Sequence, residues 1–281
     1  MKILFIFIDG IGIGSGDPAE NPLRDPRYPE LAKLLANATP LDACLGVEGK
    51  PQSATGQATL LTGVNAPQAM GRHIEGFPPP ALKELIEREN LFQKLRGIGK
   101  RPTFANAYWI DDPHMIPPRR QSVTTVMTLS ALGEVRHKAE LLSGQAVNHD
   151  ITRWTMHTRG YDGELISPET AADHLLAVAA ENDFTLFEYF LTDRAGHSGD
   201  PALVFQCLET LDRFLAKVAA FAEQPNHLFL LTSDHGNIED LSTGTHTMNP
   251  VPLVALGDRA AAFRPLKSLA DITPAILRAY E

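Results

Sequence analysis

The stretch ILFIFID, residues 3–9, sets how the rest of the chain is read: six consecutive apolar side chains run into an acid. Alternation would mark a strand with one wet face. An unbroken apolar run marks one covered on both faces, as in a mostly parallel sheet. FTLFEYFLTD (184–193) and LFLLTSDHG (228–236) share that character, and PTFANAY (102–108) and VPLVAL (251–256) do so more weakly. Helical patterns lie between them. In 200–221, Val204, Cys207, Leu208, Leu211, Phe214, Leu215 and Val218 form one apolar stripe, with Asp200 as N-cap and Pro201 as first helical residue. ADITPAILRAYE (270–281) repeats that start with Thr273 before Pro274. The pattern predicts one α/β domain over 1–281, a three-layer α/β/α sandwich on a mostly parallel sheet. The irregular segment 107–165 is expected as a small insertion at one sheet edge.

A chain that is 43% hydrophobic and 21% charged has enough apolar material for such a core. Its net charge of −9 argues against nucleic acid or a membrane surface as general partner. That charge is uneven: residues 93–160 hold ten Lys or Arg against five Asp or Glu, which suits either an anionic substrate or a solvated face. Cys44 and Cys207 are isolated, so neither a zinc-finger spacing nor a disulfide framework is present. The opening apolar run is too short for a signal-peptide core and no stretch is long enough to span a bilayer, so a cytoplasmic protein is expected.

Three of the strand candidates end in an acid, namely Asp9, Asp193 and Asp234. Ligands of open α/β sheets collect at the carboxyl ends of strands, so these acids can converge. His197 follows Asp193 by four residues, His235 follows Asp234 directly, and His246 precedes a further strand. A lone Asp at such a place is usually a cap or turn residue, but three with three histidines suggest metal ligands. Carboxylates and imidazoles together suit zinc or manganese. Counting Ser53, the seven residues exceed the needs of one ion and would serve two.

SATGQATLLTG (53–63) begins a helix with Ser53 and Thr55. The hydroxyls there can cap orphan N–H groups, or one can be a nucleophile facing an anion at the helix N-terminus. The set IDG (8–10), QSATGQ (52–57), TDRAGH (192–197), SDHGNIE (233–239) and THTMNPVP (245–252) resembles the alkaline phosphatase superfamily of metalloenzymes. Within it the chain is most similar to the branch of cofactor-independent phosphoglycerate mutase and phosphopentomutase. The motifs fall at 1–75 and 183–281, with no match placed in the middle.

The resemblance implies two divalent ions, Mn2+ or Zn2+. One would be bound by Asp9, Ser53, Asp234 and His235, the other by Asp193, His197 and His246. It implies Ser53 as the attacking residue, with Thr55 as a rival because the pentose phosphate mutases use Thr. Gly56 would allow close approach of the backbone. Gln57 departs from the His of the mutase motif, and the chain is too short for the mutases' long inserted domain. That combination favours hydrolysis of a small-molecule phosphate ester through a phosphoserine. Alternatives are a phosphodiesterase or phosphonate hydrolase, a phosphosugar mutase, or a metal-binding relative without turnover.

Arg72 and His73, just beyond the nucleophile helix, and Arg153 are the candidate substrate contacts, each equally readable as surface residues. Arg119, Arg120, His149 and Trp154 are further candidates for the mouth. Asn237 and Glu239 read as turn residues or as partners that orient the metal-binding histidines. GIGIGSG (10–16) fits no dinucleotide or P-loop spacing and reads as a flexible turn.

Overall fold

The computed structural model describes residues 1–112 and 115–281. Six strands, β1 (Lys2–Ile8), β2 (Thr39–Leu41), β3 (Pro102–Phe104), β4 (Phe184–Tyr189), β5 (His227–Thr232) and β6 (Val251–Gly257), form one sheet in the order β2-β6-β5-β1-β4-β3. β1 pairs in parallel with β4 and β5, and β3 pairs in parallel with β4. β6 runs antiparallel to β5, and β2 antiparallel to β6. The helices are α1 (Pro29–Ala36), α2 (Ser53–Thr62), α3 (Ala66–Met70), α4 (Pro80–Glu89), α5 (Leu91–Gly97), α6 (Val123–Leu132), α7 (Lys138–Leu142), α8 (Pro168–Glu181), α9 (Leu191–Ser198), α10 (Pro201–Val218) and α11 (Ile272–Ala279).

The unbroken apolar run of β1 has the expected cause. Ile3, Phe5 and Phe7 pack against a layer that includes α2, α4, α5, α6 and α11. Leu4, Ile6 and Ile8 pack against α1, α8 and α10 on the opposite face. Successive side chains of a strand point to opposite faces, so a strand buried twice must be apolar throughout. The α/β/α sandwich on a mostly parallel sheet is thus observed.

Three local boundaries differ from expectation. PTFANAY is a strand only to Phe104, because beyond Ala105 the chain turns its bonds to the segment 136–147, with Ala107 N donating to Val147 O at 3.0 Å. FTLFEYFLTD ends as a strand at Tyr189, and Asp193 is the third residue of α9 instead of a strand terminus. α11 starts at Ile272, so Thr273 lies inside it, and its hydroxyl donates to Leu60 O across the layer instead of capping. α10 begins as read, with Asp200 Oδ1 accepting from Ala202 N.

Segment 107–165 follows the edge strand β3. Its helix α6 joins the main layer through Val123, Val126 and Met127. Ala107, Leu141, Ala146, Met156 and Tyr161 build a small cluster of their own. No helix among the described residues is long and apolar enough to cross a membrane.

Candidate active site

Sheet topology brings the acids and histidines together. Asp9 follows β1, Asp234 follows β5, and α9 carries Asp193 just after β4. Because β6 is antiparallel, its first residue lies at the same end of the sheet as the last residues of β5, and His246 sits in the loop entering β6. Ser53, the first residue of α2, points into the same place.

Neither hydroxyl at the start of α2 caps the helix; the N-cap is Gln52, which makes no side-chain cap. Thr55 is fully buried. Its Oγ1 accepts from Ile74 N at 3.1 Å and donates to Gln52 O at 3.4 Å, tying the helix to the following loop. Ser53 Oγ instead lies 3.0 Å from His235 Nε2. Gly56 lets the two elements meet, since a Cβ there would sit 2.8 Å from Asp234 O.

Two groups of converging ligand atoms result, Asp193 with His197 and His246, and Asp9 with Asp193 and His235. Asp193 therefore belongs to both. His246 Nε2 is 3.3 Å from Asp193 Oδ1, and His235 Nε2 is 3.1 Å from Asp9 Oδ1. Asp234 stands beside the second group, its Oδ2 3.6 Å from His235 Nε2. The ring of His246 stacks on that of His235 at 3.7 Å. His246 Nδ1 faces Pro51 O at 2.8 Å, which orients the ring so that Nε2 faces Asp193.

The orienting groups are Gln57, which the sequence marks only as a departure from the mutase motif, and Asn237 and Glu239, expected as turn or orienting residues. Gln57 Nε2 lies 3.2 Å from both Asp9 Oδ2 and Asp234 Oδ2, so one neutral amide holds two carboxylates. Asn237 Nδ2 donates to Asp193 Oδ1 at 2.7 Å. Glu239 Oε2 accepts from Gly12 N and Asn237 N, and its Oε1 from Asn249 Nδ2, which binds the turn after β1 to the loop carrying the histidines.

The electrostatics show a shortage of positive charge. Burial, then the charge of Asp234, raises the Asp9 carboxyl well above its ordinary range, and burial also raises Asp234. Burial opposes charge on His235, yet Asp234, Asp9 and Asp193 outweigh it and push the imidazole up to about 10. Burial also works against the charge on Asp193, but His246, His235 and Asn237 hold it at about 2. Asp9 Oδ1 is buried, with His235 Nε2 as its close neighbour at 3.1 Å. Three acids and three imidazoles converging where burial works against the charge of every acid fit divalent cations by their donor chemistry.

A cavity of about 490 Å³ opens from this cluster and is lined by Asp9, Ser53, Gln57 and Asp193 at its floor. Glu188, inside β4, also reaches it. Burial pushes that carboxyl up to about 7, although it accepts a 2.6 Å hydrogen bond from Thr124 Oγ1. An acid inside an otherwise apolar strand was its only sequence signal. Arg120 and His149 line the cavity, as do Arg159 and Arg194, which sequence reasoning passed over.

Other expected contacts lie elsewhere. Arg72 and His73 line a separate groove with Lys50, and His73 Nε2 faces Val47 O at 3.3 Å. Arg153 is buried, its Nη2 donating to Leu141 O at 2.8 Å and its Nη1 to Tyr161 Oη. Arg119 and Trp154 do not line the cavity.

Residues 1–280 match the family described as "Metalloenzyme superfamily". The chain belongs to this superfamily. The cold-active alkaline phosphatase of Shewanella sp. aligns over 100% of both chains with a TM-score of 0.62 at 13% identity. The PH0037 protein of Pyrococcus horikoshii aligns over 99% of this chain and 96% of its own with a TM-score of 0.60, also at 13% identity. At these identities the likeness is one of fold. In sequence, the metalloenzyme is 33% identical over 121 residues to the 2,3-bisphosphoglycerate-independent phosphoglycerate mutase of Ruegeria pomeroyi. It is 34% identical over 122 residues to that of Vibrio campbellii. Each match covers 41% of this chain and 24% of the relative's own length. The chain is thus a member of the metalloenzyme superfamily with an alkaline phosphatase-like fold, and part of it is similar in sequence to phosphoglycerate mutases.

Proposed function

We propose that this metalloenzyme hydrolyses a small phosphate ester through a covalent phosphoserine at Ser53. The observation that carries the reading is the placement of Ser53 Oγ, 3.0 Å from His235 Nε2 at the start of α2 and at the floor of the cavity. One divalent ion, manganese or zinc, would be held by Asp9, Ser53, Asp234 and His235, and a second by Asp193, His197 and His246. Bound there, the pair would supply Lewis acidity to the attacking and leaving oxygens.

The chain's own groups set up the chemistry. Ser53 Oγ attacks phosphorus in line, and the bond from phosphorus to the ester oxygen breaks, that oxygen leaving with a proton. Water then attacks the phosphoserine, its oxygen joining phosphorus and one of its protons passing to Ser53 Oγ as the Oγ–phosphorus bond breaks and inorganic phosphate leaves. The positive end of the α2 dipole would face the phosphoryl oxygens. Gln57, Asn237 and Glu239 fix the carboxylates and the loops that carry them.

Hydrolysis is favoured over internal transfer by what lies between α2 and α9. The buried apolar residues there pack into the cores on the two faces of the sheet and one small cluster, which supports a site without a large inserted cover over the phosphoryl group. The test is turnover of phosphate monoesters and diesters with manganese or with zinc, scored by free phosphate. Interconversion of 2- and 3-phosphoglycerate without phosphate release would replace this reading with a mutase.

A further inference from the structure

The cavity has a second half whose chemistry has nothing to do with phosphorus. Tyr108, Trp109 and Phe190 form much of its wall. These rings are held in place. Tyr108 Oη is 2.5 Å from Thr125 Oγ1, and Trp109 packs edge-on against Tyr161 at 5.3 Å while its Nε1 donates to Arg159 O. His149 stacks on Phe190 at 4.5 Å with the planes 12° apart. Its loop is clamped by Asp150, which accepts from Asn148 Nδ2, Arg153 N and Thr155 N, and Ile151 beside it has a φ of 67°. A β-branched residue in that region is a true outlier, held because its surroundings over-determine it.

The rim is cationic. Arg120, Arg159 and Arg194 line the cavity, and none forms an ion pair among the described residues, whereas Arg27 pairs with Asp25 and Arg213 with Glu169. Arg159 and Arg194 both act on His149: burial chiefly, and their charges after it, push that imidazole down to about 4 against the pull of Asp150. Three unpaired guanidiniums above flat apolar walls, in a chain of net charge −9, lack an anionic counterpart.

Resting on the phosphohydrolase reading, we propose that the ester group of the substrate is a flat aromatic ring carrying a second anionic group. The phosphoryl group sits at the Ser53 end, the ring lies against Trp109, Tyr108 and Phe190, and the second anion meets Arg120 and Arg159. A short polyol would leave the aromatic wall wet and the arginines unused. The cavity volume is within the range of sites that enclose a ring with two polar ends.

The test measures binding, so that it stands apart from turnover. Calorimetry on the manganese-loaded protein compares butylphosphonate, benzylphosphonate and 4-carboxybenzylphosphonate. The expected order is benzyl tighter than butyl, with the carboxylate tightening binding by about a further tenfold. In Arg159→Gln and Arg120→Gln, both exposed positions, the carboxylate's advantage falls toward one. Trp109→Ala narrows the ratio of benzyl to butyl. Equal affinity of all three phosphonates overturns the proposal, as does no binding of any, or an advantage that survives both arginine substitutions. Release of phosphate from 4-nitrophenyl phosphate is scored separately. Its absence alongside the expected order would count against the hydrolase reading and leave the ligand class standing.

Discussion

His197 Nε2 and His246 Nε2 face each other at 3.1 Å, while the other nitrogen of each ring is turned to a backbone carbonyl, Gly244 O and Pro51 O. With the Nδ1 atoms turned to carbonyls, the two Nε2 atoms converge with Asp193 as ligand atoms that a cation could bridge. His246→Ala is therefore expected to lower the bound metal from two ions per chain to one. Elemental analysis after reconstitution and desalting checks this. Two ions retained in His246→Ala, or only one in the unaltered protein, would contradict the assignment.

Gln57 holds Asp9 and Asp234 with one amide. Gln57→Leu keeps roughly the same volume but removes the donor, so both carboxylates lose a fixed partner. Groups that orient metal ligands typically account for roughly 10–100-fold in metal affinity or activity. A loss of that size is expected, with the ion nearer Asp9 the weaker-bound. Metal titration followed by an activity assay decides it, and unchanged affinity would make Gln57 a packing residue only.

Close approach of α2 to Asp234 depends on Gly56. In Gly56→Ala the added carbon meets Asp234 O at 2.8 Å and Asp234 Cβ at 3.0 Å, and part of this contact is backbone. Overpacking of this kind costs about 1–3 kcal/mol, to be read from denaturant unfolding. A variant as stable and active as the parent would show that the helix can shift without consequence.

Glu188 makes stability depend on pH in metal-stripped protein. Its folded-state pKa is raised from 4.5 to about 7, so its stabilising contribution is complete below pH 4.5 and is lost as the pH rises through about 7. That displacement corresponds to about 3 kcal/mol. Glu188→Gln should flatten this part of the curve, so the unfolding free energies of the two proteins converge at low pH and diverge above pH 7, the variant being the more stable there. Parallel curves would show that the carboxyl is better solvated than its burial implies.

The Asp/His cluster is more legible in the sequence than the lining of the cavity beside it, for a physical reason. Asp9, Asp234, His235 and His246 lie beside strand ends, where apolar runs make the boundary visible and topology forces convergence. Asp193 arrived at the same point from the first turn of α9, because the apolar stripe of β4 continued past the strand into the helix without a break. Arg72 and His73 are suggested by their place just beyond α2, and Arg153 by the irregular segment, with no aligned motif behind any of the three. Arg153 is buried with backbone and phenol partners, while Arg159, six residues on, reaches the cavity. Which arginine of an irregular segment turns inward depends on loop geometry such as the positive φ at Ile151, and periodicity has no hold on that. Glu188 was hidden inside its strand, where an acid reads as an exception to the apolar pattern.

The central claim is that the phosphoryl group passes through Ser53. Thr55, two residues on, is occupied by Ile74 N and Gln52 O, so Thr55→Ala should mainly cost stability, roughly 0.5–1.5 kcal/mol for the lost half-buried hydrogen bond. Ser53→Ala, assayed with metal in excess, should lose turnover by orders of magnitude with little change in melting temperature. The most direct measurement is acid quenching of the manganese-loaded enzyme during turnover of an aryl phosphate, followed by peptide mass spectrometry. A phosphate on Ser53, absent from Ser53→Ala, is the expected result. A phosphate on Thr55, or steady turnover with none on the 53–63 peptide, would contradict it.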